Sequence, residues 1–421
     1  MDGRNHIIKK QFINLEAFRE AGAAKAAQER LSRWGREKLP AIIGRVLDKL
    51  DEPSKVIRFD KITLDLDCEA LEGLEETLQQ QLEKALTAAL QQCKTEEARL
   101  EGHSLAQEDI QLLMFFLEKG YFPWSAKATL SVSEFEYQIA EALATEKHWA
   151  ESIREVIQDS RALQRLVRQF SEKMRWRIAE ALHPGIRAKL EPLLLELKNA
   201  GVSHESQTRY WQLVFNYPEA EAGAIRDMLR TEPAHAITGN EIAAAVSLDS
   251  PKGNEGVEDG IFIWNAGLVL LHPFLPKLFE ATGYAEGKHL IQPEKTVLAL
   301  QYAASGQAEC PEWELPLPKI LCGLALSTPV STRDNPAREA LDEVDLLLEN
   351  VIRHWAVLKS TSINGLRESF LQRPGRLLEF PGNWTLRVEQ KSIDVLLGNL
   401  PWGLSVIKLP WMSKPLFVEW A

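Results

Sequence analysis

Trp384-Thr385-Leu386-Arg387-Val388-Glu389, Leu400-Pro401-Trp402-Gly403, Leu409-Pro410-Trp411-Met412 and Val418-Glu419-Trp420 decide how this chain is read. Each stretch carries one of the chain's 12 tryptophans, and two of the four share a Leu-Pro-Trp context. Large rigid aromatics beside prolines specify a packed shape or a docking surface, and no catalytic pattern accompanies them. Trp384, Leu386 and Val388 alternate with Thr385, Arg387 and Glu389, which predicts a half-buried strand. Pro381-Gly382-Asn383 before it reads as a turn. Residues 404–409 and 416–420 are further strand candidates. Upstream, helices are expected near 266–280, 294–305, 316–324, 338–359, 363–372 and 391–399. Residues 261–421 are therefore expected to form an α+β domain rich in Trp, with its strands gathered at the end.

Before this domain the pattern stops. Pro251-Lys252-Gly253-Asn254-Glu255-Gly256-Val257-Glu258-Asp259-Gly260 is polar, acidic and Gly-rich, so 233–260 is expected to be a linker. From 103 to 232 the pattern is helical throughout. Helices are expected near 134–147, 149–158, 160–182, 186–199 and 204–215, broken at Gly120, at His183-Pro184-Gly185, at Ala200-Gly201 and at Tyr217-Pro218. Ser104 and Gln107 resemble a capping box. Residues 1–102 are expected to form a small β-α-β-α unit. It has strand candidates at 6–15 and 56–67, a helix over 17–38, and Pro40 interrupting or restarting it. Leu71, Leu74, Leu78, Leu82, Leu86 and Leu90 recur at helical spacing, which predicts an amphipathic helix covering a small sheet. The fold class is thus mainly α with α+β ends.

The net charge of −11 argues against a general nucleic-acid binder, which needs a clustered basic surface. Cys68, Cys93, Cys310 and Cys322 are far apart and contain no CxxC pair, so buried thiols in a reducing compartment are expected rather than a zinc ribbon or a disulfide scaffold. The longest apolar runs, such as Leu112–Leu117 and Leu268–Leu271, fall far short of the roughly 20 residues that span a bilayer. The N-terminus lacks the apolar stretch of a secretory signal. A soluble protein is expected.

Candidate chemistry is thin. No two of the nine histidines stand at metal-helix spacing, and neither HExxH nor GxSxG occurs. His272 and His354 sit beside apolar residues, as hydrogen-bonded structural histidines do. Gly283-Tyr284-Ala285-Glu286-Gly287-Lys288-His289 superficially resembles a phosphate loop, but its spacing is wrong and His follows Lys. Asp60, Asp65 and Asp67 alternate with apolar residues as on a solvated strand face. Asp342, Glu343, Asp345 and Glu349 read as a charged helix face. Asn383-Trp384-Thr385 matches a glycosylation sequon with no sign of secretion. The expectation is no enzyme, no catalytic residue, no metal and no cofactor. Trp402, Trp411 and Trp420 are the candidate protein-docking residues, because exposed tryptophans anchor interfaces.

Ile261–Leu278, Leu317–Gly323, Val351–Leu358, Ser362–Arg373 and Trp384–Trp420, with Ile57–Leu66 and Phe115–Trp124 in the first half, together resemble the contractile injection system tape measure protein family. The resemblance runs from one end of the chain to the other. It implies a structural component of phage-tail-like particles that acts in tail tube assembly or length control. Its partners would then be tail tube, baseplate or cap proteins, without nucleic acid and without membrane insertion. The alternative is a cytoplasmic assembly chaperone or loading adaptor for tube, cap or effector proteins. A fully helical chain of 421 residues would reach roughly 630 Å at about 1.5 Å per residue. The 24 Gly and 21 Pro predict compact bodies several times shorter.

Overall fold

A computed structural model describes residues 30–35, 37–50, 79–89, 105–123, 131–146, 148–231, 260–331, 335–358 and 361–420. The expected strands at 6–15 and 56–67, the Ser104 cap, Cys68, Cys93, the Asp60–Asp67 carboxylates and residues 233–259 of the expected linker lie outside them. The chain divides into two compact units, residues 1–108 and 109–421. The described part is mainly α with one small mixed sheet near the C-terminus.

In the first unit, helix α1 (Leu39–Leu50) begins with Pro40 in its first turn, where a missing N–H removes no helical bond. Leu31, Trp34, Leu39, Ile42 and Leu82 pack into one apolar cluster. Residues 79–89 of the leucine stripe are helical, with Leu82 and Leu86 buried.

The second unit opens with helices α2 (Leu105–Lys119), α3 (Val132–Thr145), α4 (Trp149–Val156), α5 (Ser160–Gln169), α6 (Glu172–Leu182), α7 (Ile186–Asn199), α8 (His204–Asn216) and α9 (Ala222–Thr231). Short polar side chains start several of them. Ser131 and Glu134 form a reciprocal capping box on α3, and Asp159 accepts from Arg161 N at 2.7 Å to cap α5. The single helix expected over 160–182 is two helices. Its apolar pattern runs on without a break, but Ser171 accepts from Met174 N and starts α6 afresh, while Phe170 turns inward and is buried.

The rest of the unit wraps helices around one face of a five-stranded sheet. Its strands are β1 (Ile261–Ile263), β4 (Gly375–Phe380), β5 (Asn383–Val388), β6 (Val406–Ile407) and β7 (Leu416–Glu419), in the order β1-β4-β5-β7-β6. All neighbours are antiparallel except β5 and β7. A separate hairpin joins β2 (Ala285–Glu286) to β3 (His289–Leu290). The helices are α10 (Leu275–Ala281), α11 (Pro293–Ser305), α12 (Pro316–Leu321), α13 (Arg338–His354) and α14 (Ile363–Leu366). Strands are thus not confined to the end, because β1 at the start of this segment completes the sheet edge beside β4.

Three expected α-helices take other forms, and the one expected at 391–399 is a 3-10 helix over Ser392–Asn399. Residues 266–271 form a 3-10 turn and α10 begins only at Leu275, because Pro273 between them has no N–H to continue the ladder. The 363–372 helix loosens into a π turn over Arg367–Leu371, closed by Gln372 N donating to Arg367 O at 2.7 Å. The 3-10 turn lies directly on this π turn. A Cβ at Gly267 would stand 1.7 Å from Phe370 O, so only glycine permits the contact.

Helices 109–231 and the segment 260–420 share a buried seam. Glu312 Oε1 accepts from Arg165 Nε at 3.1 Å and from Lys319 Nζ at 2.7 Å, and all three side chains are almost completely buried. Carbonyls take up the remaining donors. Arg165 Nη1 donates to Leu117 O at 2.7 Å and Glu118 O at 3.0 Å, its Nη2 to Ser327 O, and Lys319 Nζ to Leu326 O at 3.1 Å. Burial pushes the Lys319 ammonium down from the usual lysine range, against the pull of Glu312. Trp313, next to Glu312, stacks on Phe122 at 4.6 Å and meets Phe116 and Phe135 edge-on at 5.2 and 5.4 Å.

Breaking a buried ion pair leaves uncompensated charge in a dry interior, which costs about 3–5 kcal/mol. Glu312→Gln should lower the unfolding free energy by about that amount in a urea titration. Asp342→Asn, which removes an exposed pair with Arg338, should change it by less than about 1 kcal/mol.

Candidate docking surface

The three candidate tryptophans are held by their own domain. Each ring is half-buried, and each indole N–H donates inward. Trp402 Nε1 donates to Leu270 O at 3.1 Å, and its ring meets Phe274 edge-on at 5.0 Å. Trp411 Nε1 donates to Leu321 O at 2.7 Å, with its ring tilted on Phe279 at 5.4 Å. Leu321 is the last residue of α12, where backbone carbonyls lack helical partners. Trp420 Nε1 donates to Asp394 Oδ2 at 3.1 Å. That same oxygen accepts from the buried Arg373 at 2.7 Å, and the guanidinium lies 5.5 Å over the Trp420 ring. The indoles therefore fasten residues 392–420 across the 3-10 turn, α12 and the Arg373 loop.

The sheet places residues on two faces. Ile261, Leu377, Leu386, Trp384, Leu416 and Ile407 face the helices and join the main core. The strand expected at Trp384–Val388 has the anticipated parity, although outward-facing Thr385 is also buried. The opposite face is exposed at its rim, while Leu378 and Thr385 at its centre are buried. One row across it reads Phe262, Arg376, Arg387, Glu419, and the next reads Leu378, Thr385, Phe417, Val406. Phe262, Phe380, Val406 and Phe417 are 46, 45, 52 and 41 % exposed. Arg376 and Arg387 are directly opposed across β4 and β5. Arg387 donates to Glu419 at 2.6 Å. Arg376 has no hydrogen-bonded or ionic partner among the described residues, and its Nε is buried. Burial, and then the charge of Arg387, pull its pKa below the usual arginine range. The tryptophan-centred sequence reading missed this face. Its signal was a phenylalanine between two inward aliphatic residues, in Ile261-Phe262-Ile263 and Leu416-Phe417-Val418.

The other singled-out residues have structural places. His272 Nδ1 contacts Val269 O at 2.9 Å, and burial pushes its pKa down. His354 Nδ1 contacts Asn350 O at 2.8 Å, within its own helix. Cys310 and Cys322 are free and buried, with thiol pKa values raised by burial. Gly287-Lys288 is the tight turn of the β2–β3 hairpin, with Gly287 at φ 59°. Asp345 is more than a solvated face, since it accepts from Arg367 and from Tyr302 Oη, both at 2.8 Å. Among the described residues no group of His, Cys, Asp and Glu could hold a metal ion, and no helix is long and apolar enough to cross a membrane.

One buried acid makes stability depend on pH. Glu314 is pushed up from 4.5 to about 7 by burial, against hydrogen bonds from Gln301 and Trp264. The folded state therefore holds a proton that the unfolded chain releases near 4.5. Stability is fully present below that pH and falls as pH rises toward 7, by about 3 kcal/mol at 1.36 kcal/mol per unit. Chemical denaturation from pH 4.5 to 8 should show this decline, and Glu314→Gln should flatten it. Trp411→Phe should cost about 1–3 kcal/mol in the same assay, by leaving Leu321 O unpaired.

The family model described as contractile injection system tape measure protein matches residues 5–241 and 220–420. No curated protein and no solved structure matches the chain. With both matched stretches together spanning almost its whole length, the chain belongs to the contractile injection system tape measure protein family.

Proposed function

We propose that this chain is a non-enzymatic assembly component that docks onto tail tube, baseplate or cap proteins while the tail tube of a contractile injection particle is built or its length is set. The family match over residues 5–420 carries this reading. Two features support docking as the mode of action. Half-buried Trp402, Trp411 and Trp420 stand on a rigidly fastened tail, and the outer sheet face presents exposed phenylalanines at its rim. The workplace is the bacterial cytoplasm.

A second reading, as an assembly chaperone or loading adaptor, is favoured by one observation. The longest described helix, Arg338–His354, has 17 residues and reaches about 25 Å. The described helices of the second unit are short and pack against one another. Such a body suits transient gripping better than a rod lying along a tube.

Deleting the gene in its native cluster should abolish particles or change sheath and tube length in electron micrographs. Normal particles of unchanged length would refute an assembly role. Mass spectrometry of purified wild-type particles separates the two readings, because a ruler is retained at fixed copy number and a chaperone is absent.

A further inference from the structure

Two acids on the short turn Glu312–Glu314 are treated in opposite ways. Glu312 receives the buried cations Arg165 and Lys319. Glu314 pairs with no cation among the described residues and is held by neutral groups alone. Gln301 Nε2 from α11 donates to its Oε2 at 2.9 Å, and the indole of Trp264, just after β1, donates to the same carboxyl. Asn265 closes the cluster. Its Nδ2 donates to Gln301 Oε1 at 2.8 Å and to the backbone O of Glu314 at 3.0 Å. Asn265 and Gln301 are fully buried, whereas Glu314 keeps some access to solvent and can exchange a proton without wholesale unfolding.

The cluster is short of donors. Both Nδ2 hydrogens of Asn265 are spent, and its Oδ1 is buried with no partner among the described residues. A neutral Glu314 adds one O–H to this set, and an ionised one removes it. The surrounding groups do not offset the charge that ionisation leaves. Cys310 stays a thiol, its pKa raised by burial and then by Glu314 and Glu312. Glu312 is already matched by its two cations, and α11 and residues 264–265 bring only amides and an indole.

We propose that Glu314 is a proton-held catch on the sheet edge: with its proton in place residues 264–265 stay closed over it and β1 stays seated on β4, and loss of that proton to solvent lets β1 lift. The strand suits such opening. It has three residues and pairs on one side only, with β4. Trp264 and Asn265 follow it directly, so lifting β1 draws both away from the carboxyl. In the lifted state the acid ionises near its ordinary 4.5, and in the seated state only near about 7. Seating is therefore fully favoured below the lower value and loses ground as pH rises through the higher one. Lifting uncovers the outer edge of β4, whose N–H and C=O groups then lack partners.

Hydrogen exchange of the full-length chain, read by mass spectrometry and corrected for the intrinsic rate at each pH, tests the catch. Amides of residues 261–266 should be less protected than the inner amides of α8 and α13, because β1 opens without global unfolding. Between pH 5.5 and 8 their protection should fall by about tenfold or more. Glu314→Gln should hold it level over the same range. If that variant lowers the melting temperature, Glu314→Leu replaces it, since any neutral side chain must remove the pH slope. Protection at 261–266 that stays level with pH, that equals the core at every pH, or that still falls in the neutral variants would each overturn the assignment. The first of these outcomes leaves the global pH dependence of stability standing, because that needs Glu314 to be exposed only on full unfolding.

Discussion

A single carboxylate oxygen organises the second unit. Glu312 Oε1 receives both Arg165 and Lys319 in a site closed to water, and it joins residues 147 apart in sequence. Two cations against one anion would be untenable there without the carbonyls of Leu117, Glu118, Ser327 and Leu326. Those carbonyls come from the end of α2 and from the loop after α12, so the charge balance also fixes where both elements stop. The aromatic cluster around Trp313 then fills the space beside the seam. The helices of 109–231 and the α+β segment are thereby bound into one body.

The tail obeys a related rule. Its indoles place N–H groups on carbonyls that the local helices leave open, so the same side chains bury area and satisfy polar atoms. Pro401 sits in a bend with Trp402 and Pro410 in a turn with Trp411. The result is a rigid rim beside the sheet. The membership of the chain in a family of particle components fits a protein whose distinctive chemistry is spent on holding surfaces in place.

Much of this was legible in the sequence because it followed periodicity. The helices at 186–199 and 293–305, the strand parity at Trp384–Val388 and the overall mainly-α class all come from apolar spacing and Gly or Pro punctuation. What was not legible depended on distant partners. Ser171 splits a continuous pattern because its side chain found Met174 N. Residues 375–380 read poorly as a strand because their alternation is broken by Leu377-Leu378, one facing the core and one the outer face. The tryptophans were visible as anchors, but nothing local shows that their N–H groups point to Leu270, Leu321 and Asp394. The Arg376–Arg387 opposition exists only once β4 and β5 are paired in register.

The parallel pairing of β5 with β7 has a consequence for the order of events during synthesis. β7 lies between β5 and β6, although it is made after both. Until residues 416–419 leave the ribosome, β5 keeps a bare edge of unpaired N–H and C=O groups and the inward row at Leu386 lacks its neighbour Val418. β1 waits longer for its own partner, Ile261 for Leu377 more than a hundred residues on, although β4 emerges before β7 does. Non-local closure of this kind is slow and leaves sticky edges in the interim. The nascent chain is most prone to aggregate between the emergence of β5 and that of β7, which makes the rate at which β7 slots home a determinant of cellular yield.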